Sequence, residues 1–307
     1  MTKRRDRPKV DGWLILDKPV GPTSTQALGK VRRLYGGGKA GHAGTLDPLA
    51  SGILPIAFGE ATKTLAAIVD REKTYRFRVA WGAETATDDL EGAVTQTNDR
   101  RPTAAEIEAV MPAFRGVISQ RPPAFSAIKV DGERAYDLAR AGEEVVLAER
   151  EVTVHRLDLL EAAGDWADFE LVCGKGTYVR SLARDLARAM GAFGHVAVLR
   201  RTAVGAFDES RAISLDFLQQ CADNGQLVER LLPVLTALDD IPVLAVTAAE
   251  ANLLRSGRSA PLSQEHLGTV DFLARIGQTV ALTCDGTPVA LGRIDPGEIR
   301  PTRVFNL

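Results

Sequence analysis

The stretch Gly41-His42-Ala43-Gly44-Thr45-Leu46-Asp47-Pro48-Leu49-Ala50-Ser51-Gly52 separates two apolar runs near the start of the chain. Before it, residues 11–17 carry Trp13-Leu14-Ile15-Leu16, a short strand. After it, Ile53-Leu54-Pro55-Ile56-Ala57-Phe58 reads as a second short strand or a sheet edge, because proline cannot donate to a ladder. Glycines 41, 44 and 52 bracket one histidine and one carboxylate. Glycine lets a backbone take positive φ or approach a ligand closely, and Pro48 stiffens the residue before it. On these residues alone two readings of Asp47 stand level. It opens an ordinary turn, or it is a carboxylate held rigidly toward a cleft.

Outward from that loop the chain alternates strand and helix signals. Thr23 with Gln26 three residues on has capping-box spacing, Leu28, Val31 and Leu34 repeat at helical intervals, and Gly36 suits the residue after a helix. Residues 36–52 then read as one glycine-rich loop. From Lys73 to Trp81, Tyr75, Phe77, Val79 and Trp81 alternate with Arg76, Arg78 and Ala80, as a half-buried strand requires, so Tyr75 faces the core. Thr103 and Glu106 open a helix that ends near Arg115-Gly116. A strand at Asp168–Cys173 leads through Gly174-Lys175-Gly176 into a helix from about Thr177 to Met190, which Gly191 stops. That helix carries Arg180, Arg184 and Arg188 at steps of four, normally a solvated face, but Arg180 lies in the first turn, within reach of a loop carboxylate. Thr236–Pro242 resembles a linker; Thr247 and Glu250 open a short helix closed at Gly257, and Asp285-Gly286 joins two strands in a hairpin.

Composition sets bounds on function. The chain has 307 residues, 45% hydrophobic and 25% charged, which suits one large and one small globular unit. No apolar run reaches ~18 residues and the N-terminus is charged, so a cytoplasmic protein is expected. Cys173, Cys221 and Cys284 are too few and too scattered for a disulfide framework or zinc site, and the four histidines form no ligand pair. Gly36-Gly37-Gly38-Lys39-Ala40-Gly41 has the glycine spacing of a dinucleotide fingerprint but follows a helix where that motif needs a strand. Net charge is −2, unevenly spread: residues 1–40 hold ten Lys/Arg against three acids, and residues 205–307 hold thirteen acids against eight Arg and no Lys. This asymmetry fits a phosphate-binding surface on the N-terminal part and, equally, a solvated basic tail.

Several segments together resemble the TruB family of bacterial tRNA pseudouridine synthases. They are Leu16-Asp17-Lys18-Pro19 with Gly21-Pro22-Thr23-Ser24; the Gly41–Gly52 stretch; Lys73-Thr74-Tyr75; Thr85-Ala86-Thr87-Asp88-Asp89 ending at Gly92; Arg121-Pro122-Pro123 to Ser126-Ala127-Ile128-Lys129; Gly174-Lys175-Gly176-Thr177-Tyr178-Val179-Arg180; and His195-Val196 to Leu199-Arg200-Arg201. They occur in the family's order and cover roughly residues 12 to 215. Ala43 departs from the family, which usually has Thr or Ser there.

The resemblance implies an α+β protein of the pseudouridine synthase fold. Its central mixed, mainly antiparallel sheet is flanked by helices in residues 1–238, and a small β-rich PUA-like domain occupies 239–307. An insertion at about 120–149 would grip RNA and order on binding. It implies isomerisation of the T-arm uridine at tRNA position 55, with no cofactor or metal and with the tRNA T stem-loop as partner; a monomer is the default, because the sequence carries no interface signal. Asp47 would be the catalytic carboxylate, either attacking C1′ or removing a C2′ proton to give a glycal, and Arg180 would keep it ionised. Tyr75 would stack on the uracil and help remove the C5 proton. Tyr178 and Leu199 would line the uracil pocket, Asp89 would join its polar network, and His42 would enter the T loop to replace a lost base stack. Lys18, Arg121, Lys129 and Lys175 would contact phosphates. The acidic C-terminal part would add only a minor RNA contact. Two rivals are a non-catalytic tRNA-folding chaperone and a base-removing glycosidase, the latter distinguished by release of free uracil.

Overall fold

The computed structural model describes residues 9–126, 128–130, 132–135, 138, 141–143, 145, 147–263 and 276–307. A ten-stranded mixed sheet forms the larger part. Its main path runs Ile213–Ser214, Gly12–Lys18, Ala50–Phe58, Gly194–Val204, Lys73–Trp81, Trp166–Cys173, Arg150–Ala162, Gly116–Gln120. Two of its pairings are parallel, Gly12–Lys18 with Ile213–Ser214 and Ala50–Phe58 with Gly194–Val204; the others along the path are antiparallel.

Both faces of the sheet are covered, so the first strands are apolar on consecutive residues where a half-solvated strand would alternate. Leu14 and Leu16 belong to one core cluster with the helix residues Ala27, Val31, Leu182 and Leu186. Trp13 and Ile15 point the other way, to Ile53, Ala57, Phe207 and Phe305. Each fully buried side chain of this size contributes roughly 1.5–3 kcal/mol, so the two clusters fix which way every strand faces.

The expected helix caps form. Thr23/Gln26, Thr103/Glu106 and Thr247/Glu250 are each reciprocal capping boxes, opening helices Ser24–Leu34, Ala104–Val110 and Ala248–Arg255. Tyr75 sits half-buried on the core face of Lys73–Trp81, as the alternation requires. All three cysteines are free thiols.

Three local expectations need correction. Residues 36–52 are not all loop, because Ala40–His42 pairs with Ile56–Phe58 as a short strand. Pro55 does not mark an edge: it lies inside Ala50–Phe58, opposite Ile15 of the neighbouring strand. On the other side the long strand pairs only residues 50–52 and the short one only 56–58, while the Pro55 carbonyl accepts the Ala43 N–H at 2.9 Å. Pro55 has no N–H to return to Ala43, so the ladder of the short strand stops at the His42–Ile56 pair. Thr236–Pro242 is no free linker either, since Ala237 and Leu238 are buried in the core against Trp13 and Phe207.

The C-terminal residues form a separate five-stranded sheet, ordered Val243–Ala245, Thr279–Cys284, Thr287–Asp295, Glu298–Val304, Ala260–Pro261. Asp285 and Gly286 both have positive φ, 49° and 74°, the tight-turn geometry expected of the pair. The chain end then returns to the large sheet. Phe305 inserts beside Trp13 and Ile15, Lys63 Nζ donates to the Val304 carbonyl at 2.8 Å, and the Asn306 N–H donates to Glu60 Oε2 at 2.7 Å.

Candidate active site

Asp47 is placed from beneath by the helix that precedes it. The Ser24 hydroxyl, in the helix's first residue, donates to the Leu46 carbonyl at 2.9 Å and accepts the Leu46 N–H at 2.8 Å, which fixes the residue before Asp47 on both polar atoms. The Ala50 N–H closes a turn onto the Asp47 carbonyl at 3.1 Å. Downstream, a Cβ on Gly52 would stand 2.1 Å from the Arg201 carbonyl, and its φ is +100°, so only glycine lets the loop re-enter the sheet so close to its neighbour. Asp47 therefore sits in a turn whose backbone is pinned on both sides.

Lys18 is fully buried under this loop. Its ammonium donates to the carbonyls of Pro19 at 2.9 Å and Pro22 at 2.8 Å and reaches that of Pro48 at 3.4 Å. Desolvation lowers its pKa to about 8, against the opposing pull of Asp47. The expected phosphate contact is thus corrected: Lys18 ties the Pro19–Pro22 loop to the backbone beside Asp47, out of reach of RNA.

The Asp47 side chain opens into a cleft of about 300 Å³. Six expected site residues line it: Asp47, Tyr75, Lys175, Tyr178, Arg180 and Leu199. Arg180, 4% exposed, holds its Nε 3.0 Å from Asp47 Oδ2 and its Nη1 3.5 Å from Asp89 Oδ2. The Nε–H has no hydrogen-bond partner, so its contact with Asp47 is an ion pair without hydrogen-bond alignment. The rest of the guanidinium is fixed by the Thr87 carbonyl at 2.9 Å and the Phe125 carbonyl at 3.0 Å. Asp89 lies behind Arg180, buried, with Oδ1 accepting from the Thr87 hydroxyl and from the Glu91 N–H at 2.9 Å.

The arginine stripe on helix Val179–Ala189 is ion-paired along its length, buried at Arg180 and exposed at Arg188. Arg184 Nη1 pairs with Asp88 at 2.9 Å, and Arg188 grips Glu84 at 2.5 and 2.8 Å, so Arg180, Arg184 and Arg188 match Asp89, Asp88 and Glu84 in turn. Asp88 sits at φ +59°, and burial raises its pKa to about 6 despite Arg184. The folded protein therefore keeps this proton up to about pH 6, where the unfolded chain has released it near 4. That contribution to stability is present at low pH and is lost as pH rises through 6. Asp88→Asn, a residue that tolerates positive φ, should shrink the drop in melting temperature between pH 5 and 7.5. An unchanged drop would contradict the burial argument.

Tyr178 precedes the helix, and Gln120 clamps it from the adjoining sheet edge. The Gln120 amide donates to the Tyr178 carbonyl at 3.0 Å and accepts its N–H at 2.8 Å, while Arg150 lies 5.1 Å over its ring. Gln120 is buried, so Gln120→Ala leaves polar backbone unpaired and should cost about 1–3 kcal/mol. The check is a lower urea midpoint at unchanged slope.

His42 and Arg121 do not line the cleft. His42 is on the short strand Ala40–His42; its Nδ1 is buried without a hydrogen-bond partner, and desolvation followed by Arg201 holds its pKa below the ordinary value. Arg121 is exposed, paired with Glu149 at 3.2 Å, and borders a neighbouring cleft with Asp88, Arg184 and Arg188. Lys175 is at the mouth, 3.0 Å from Asp70. Lys129 falls in the short strand Lys129–Val130, and its side chain lies outside the described residues.

Arg201 is a site residue that the sequence reading missed. It is 1% exposed, donates to the carbonyls of Ile53 at 2.8 Å and Gly44 at 2.9 Å, lines the cleft, and sits directly across the sheet from Tyr75. Burial pushes the Tyr75 hydroxyl above the usual phenol range, and Arg201 pulls it back. The signal was available: in a strand, Arg201 shares the face of Leu199 by period two.

Residues 32–179 match the TruB family pseudouridylate synthase N-terminal domain, and residues 180–241 match the tRNA pseudouridylate synthase B C-terminal domain. A tRNA pseudouridine synthase B of Bradyrhizobium diazoefficiens is 54% identical over 310 residues, covering 99% of this chain and 88% of the relative. The Caulobacter vibrioides protein of the same name is 50% identical over 309 residues, covering 100% of both chains. Among solved structures, a chain of a Cbf5-Nop10-Gar1 complex superposes with a TM-score of 0.71 at 25% identity, covering 96% of this chain and 85% of that one. A carboxylate, an arginine and a tyrosine drawn into one cleft by distant segments, and full-length identity of half or more, agree: the chain belongs to the TruB family of pseudouridylate synthases.

Proposed function

We propose that this chain isomerises uridine to pseudouridine in tRNA, at position 55 of the T-arm loop, with Asp47 as the catalytic carboxylate. The observation that carries the reading is Asp47 beside the buried Arg180 in a cleft that also holds Tyr75. In the reaction the N1–C1′ bond breaks and a C5–C1′ bond forms; C5 loses a proton and N1 gains one. No atom or electron is exchanged with a cofactor. Asp47 attacks C1′, or takes a proton from C2′ to give a glycal, and Arg180 sets a positive charge 3.0 Å from the reacting carboxylate in either route.

Tyr75 supplies a flat ring beside the target uracil and, with Arg201 next to its phenol oxygen, helps remove the C5 proton. Tyr178 and Leu199 pack the base, and Asp89 holds Arg180 from behind. Reaching a base inside a folded loop requires flipping it out. His42, kept neutral by burial, suits stacking in the vacated place. Arg121 and Lys175, both exposed, suit phosphates of the T stem-loop. Residues 1–238 serve as the catalytic domain and 239–307 as the PUA-like one, a division supported by the two separate sheets. The segment at about 120–149 serves as the RNA grip.

Transfer RNA carrying C5-tritiated uridine tests the reaction. Tritium release with the base retained in the RNA is the expected result, and free uracil in the supernatant would identify a glycosidase instead.

A further inference from the structure

The cations at and just after the end of the first helix have no acidic partner among the described residues. Lys30, Arg32, Arg33 and Lys39 are exposed, and no ion pair engages them among the described residues. On the large sheet, by contrast, Arg76 and Arg156 meet Glu170, Arg78 meets Asp168, and Arg200 meets Asp17 and Glu209. Lys30 and Arg33, one turn apart, border a cleft of about 550 Å³ together with Asp17, Pro19, Ser214 and Asp216. Asp17 is already held by both Nη atoms of Arg200, at 3.0 Å each, and Asp216 has no ion pair with either cation.

The loop that follows is bare backbone. Gly36, Gly37 and Gly38 all have positive φ, 75°, 89° and 95°. A Cβ on Gly36 or Gly38 would meet nothing within 4 Å, so packing does not demand their bareness. The loop runs directly into Lys39 and the strand Ala40–His42, and so into the Asp47 loop. At its other end the helix begins at Ser24, bonded to Leu46. At ~1.5 Å per residue, Lys30 and Arg33 stand about 9 and about 14 Å along the helix from that contact, beyond the width of one nucleotide in the cleft.

Charge without an apolar anchor separates the candidate partners. Val31 is fully buried and Leu28 and Leu34 pack on the core, so the helix offers no exposed hydrophobic side chain of the kind that centres a protein interface. Unpaired cations beside an unobstructed backbone suit a polyanion that can come close. We propose that Lys30, Arg32, Arg33 and Lys39, with the Gly36–Gly38 backbone, grip RNA phosphates outside the reacting loop of the bound tRNA. This rests on the tRNA reading given above.

The test uses the full chain carrying K30A, R32A, R33A and K39A, with full-length tRNA. The dissociation constant should rise at least tenfold, and the slope of log affinity against log salt should flatten by about 0.7 to 0.9 per cation removed. In the tritium assay KM should rise while kcat at saturating tRNA stays within twofold. A variant exchanging Lys and Arg at the four positions should bind like wild type. Affinity within twofold of wild type and an unchanged salt slope would overturn the proposal, and would leave these cations to a protein partner. Failure of the tRNA reading itself looks different: the wild-type chain would then release no tritium.

Discussion

Asp47→Asn should leave the fold and tRNA binding intact and abolish pseudouridine formation, with a loss on the order of 10⁴-fold or more. Asparagine serves the turn equally well, because the structural bonds here run through backbone: the Ala50 N–H to the Asp47 carbonyl, and Ser24 to Leu46. The substitution removes only the charge and its nucleophilic or basic oxygen. Side-chain exposure of 36% means that the cost of losing the ion pair to Arg180 is softened by solvent. The measurements are tritium release, the tRNA dissociation constant and the melting temperature. If Asp47 were only a turn residue, the asparagine variant would turn over normally; if it were structural through its charge, melting would fall together with activity. Loss of turnover alone, with affinity within a few fold and melting within a few degrees, is the outcome that fits a catalytic carboxylate.

The same distinction between backbone and side chain explains what could be read from the sequence. Local devices were legible. Each capping box pairs residues three apart, the Asp285-Gly286 turn needs only its own φ angles, and the alternation from Tyr75 to Trp81 reports one face of one strand. Long-range pairings were not. Lys18 looks like a surface cation at a strand end until Pro19, Pro22 and Pro48 bring three carbonyls around it. The arginine stripe looks solvated until Glu84, Asp88 and Asp89 stand opposite it, about a hundred residues away in the chain. Pro55 reads as an edge signal because nothing local says that its two neighbours pair above and below it.

The candidate site shows the same division. Asp47 alone left two readings level, and the separate segments bearing Tyr75 and Arg180 meet it only in three dimensions. Family resemblance supplied those residues; the geometry adds Arg201 and Gln120, whose partners lie too far along the chain for a local pattern to reveal. Both act on a neighbour's position: Arg201 across the strand pair from Tyr75, and Gln120 on the Tyr178 backbone.

Arg180→Met should be the most disruptive single change, because it strikes stability and chemistry through different partners. Asp89 is 2% exposed and has Arg180 as its cation, so removing the guanidinium strands a buried carboxylate at about 3–5 kcal/mol. The carbonyls of Thr87 and Phe125 lose their donors as well. Asp47, being more exposed, stays hydrated but loses the fixed charge that holds it in the cleft, and kcat should fall on the order of 10²–10³-fold. The two effects separate in the double variant Arg180→Met/Asp89→Asn. Neutralising Asp89 removes the stranded charge, so the urea midpoint should recover much of its loss, while kcat should stay low because Asp47 still lacks its partner. Recovery of both would mean that Arg180 serves the fold alone; recovery of neither would mean that the carbonyl contacts, not Asp89, carry the stability. Arg180→Lys sharpens the point, since one ammonium cannot span two carboxylates and two carbonyls that the planar guanidinium reaches together. Its expected phenotype is near-normal folding with kcat still reduced at least tenfold.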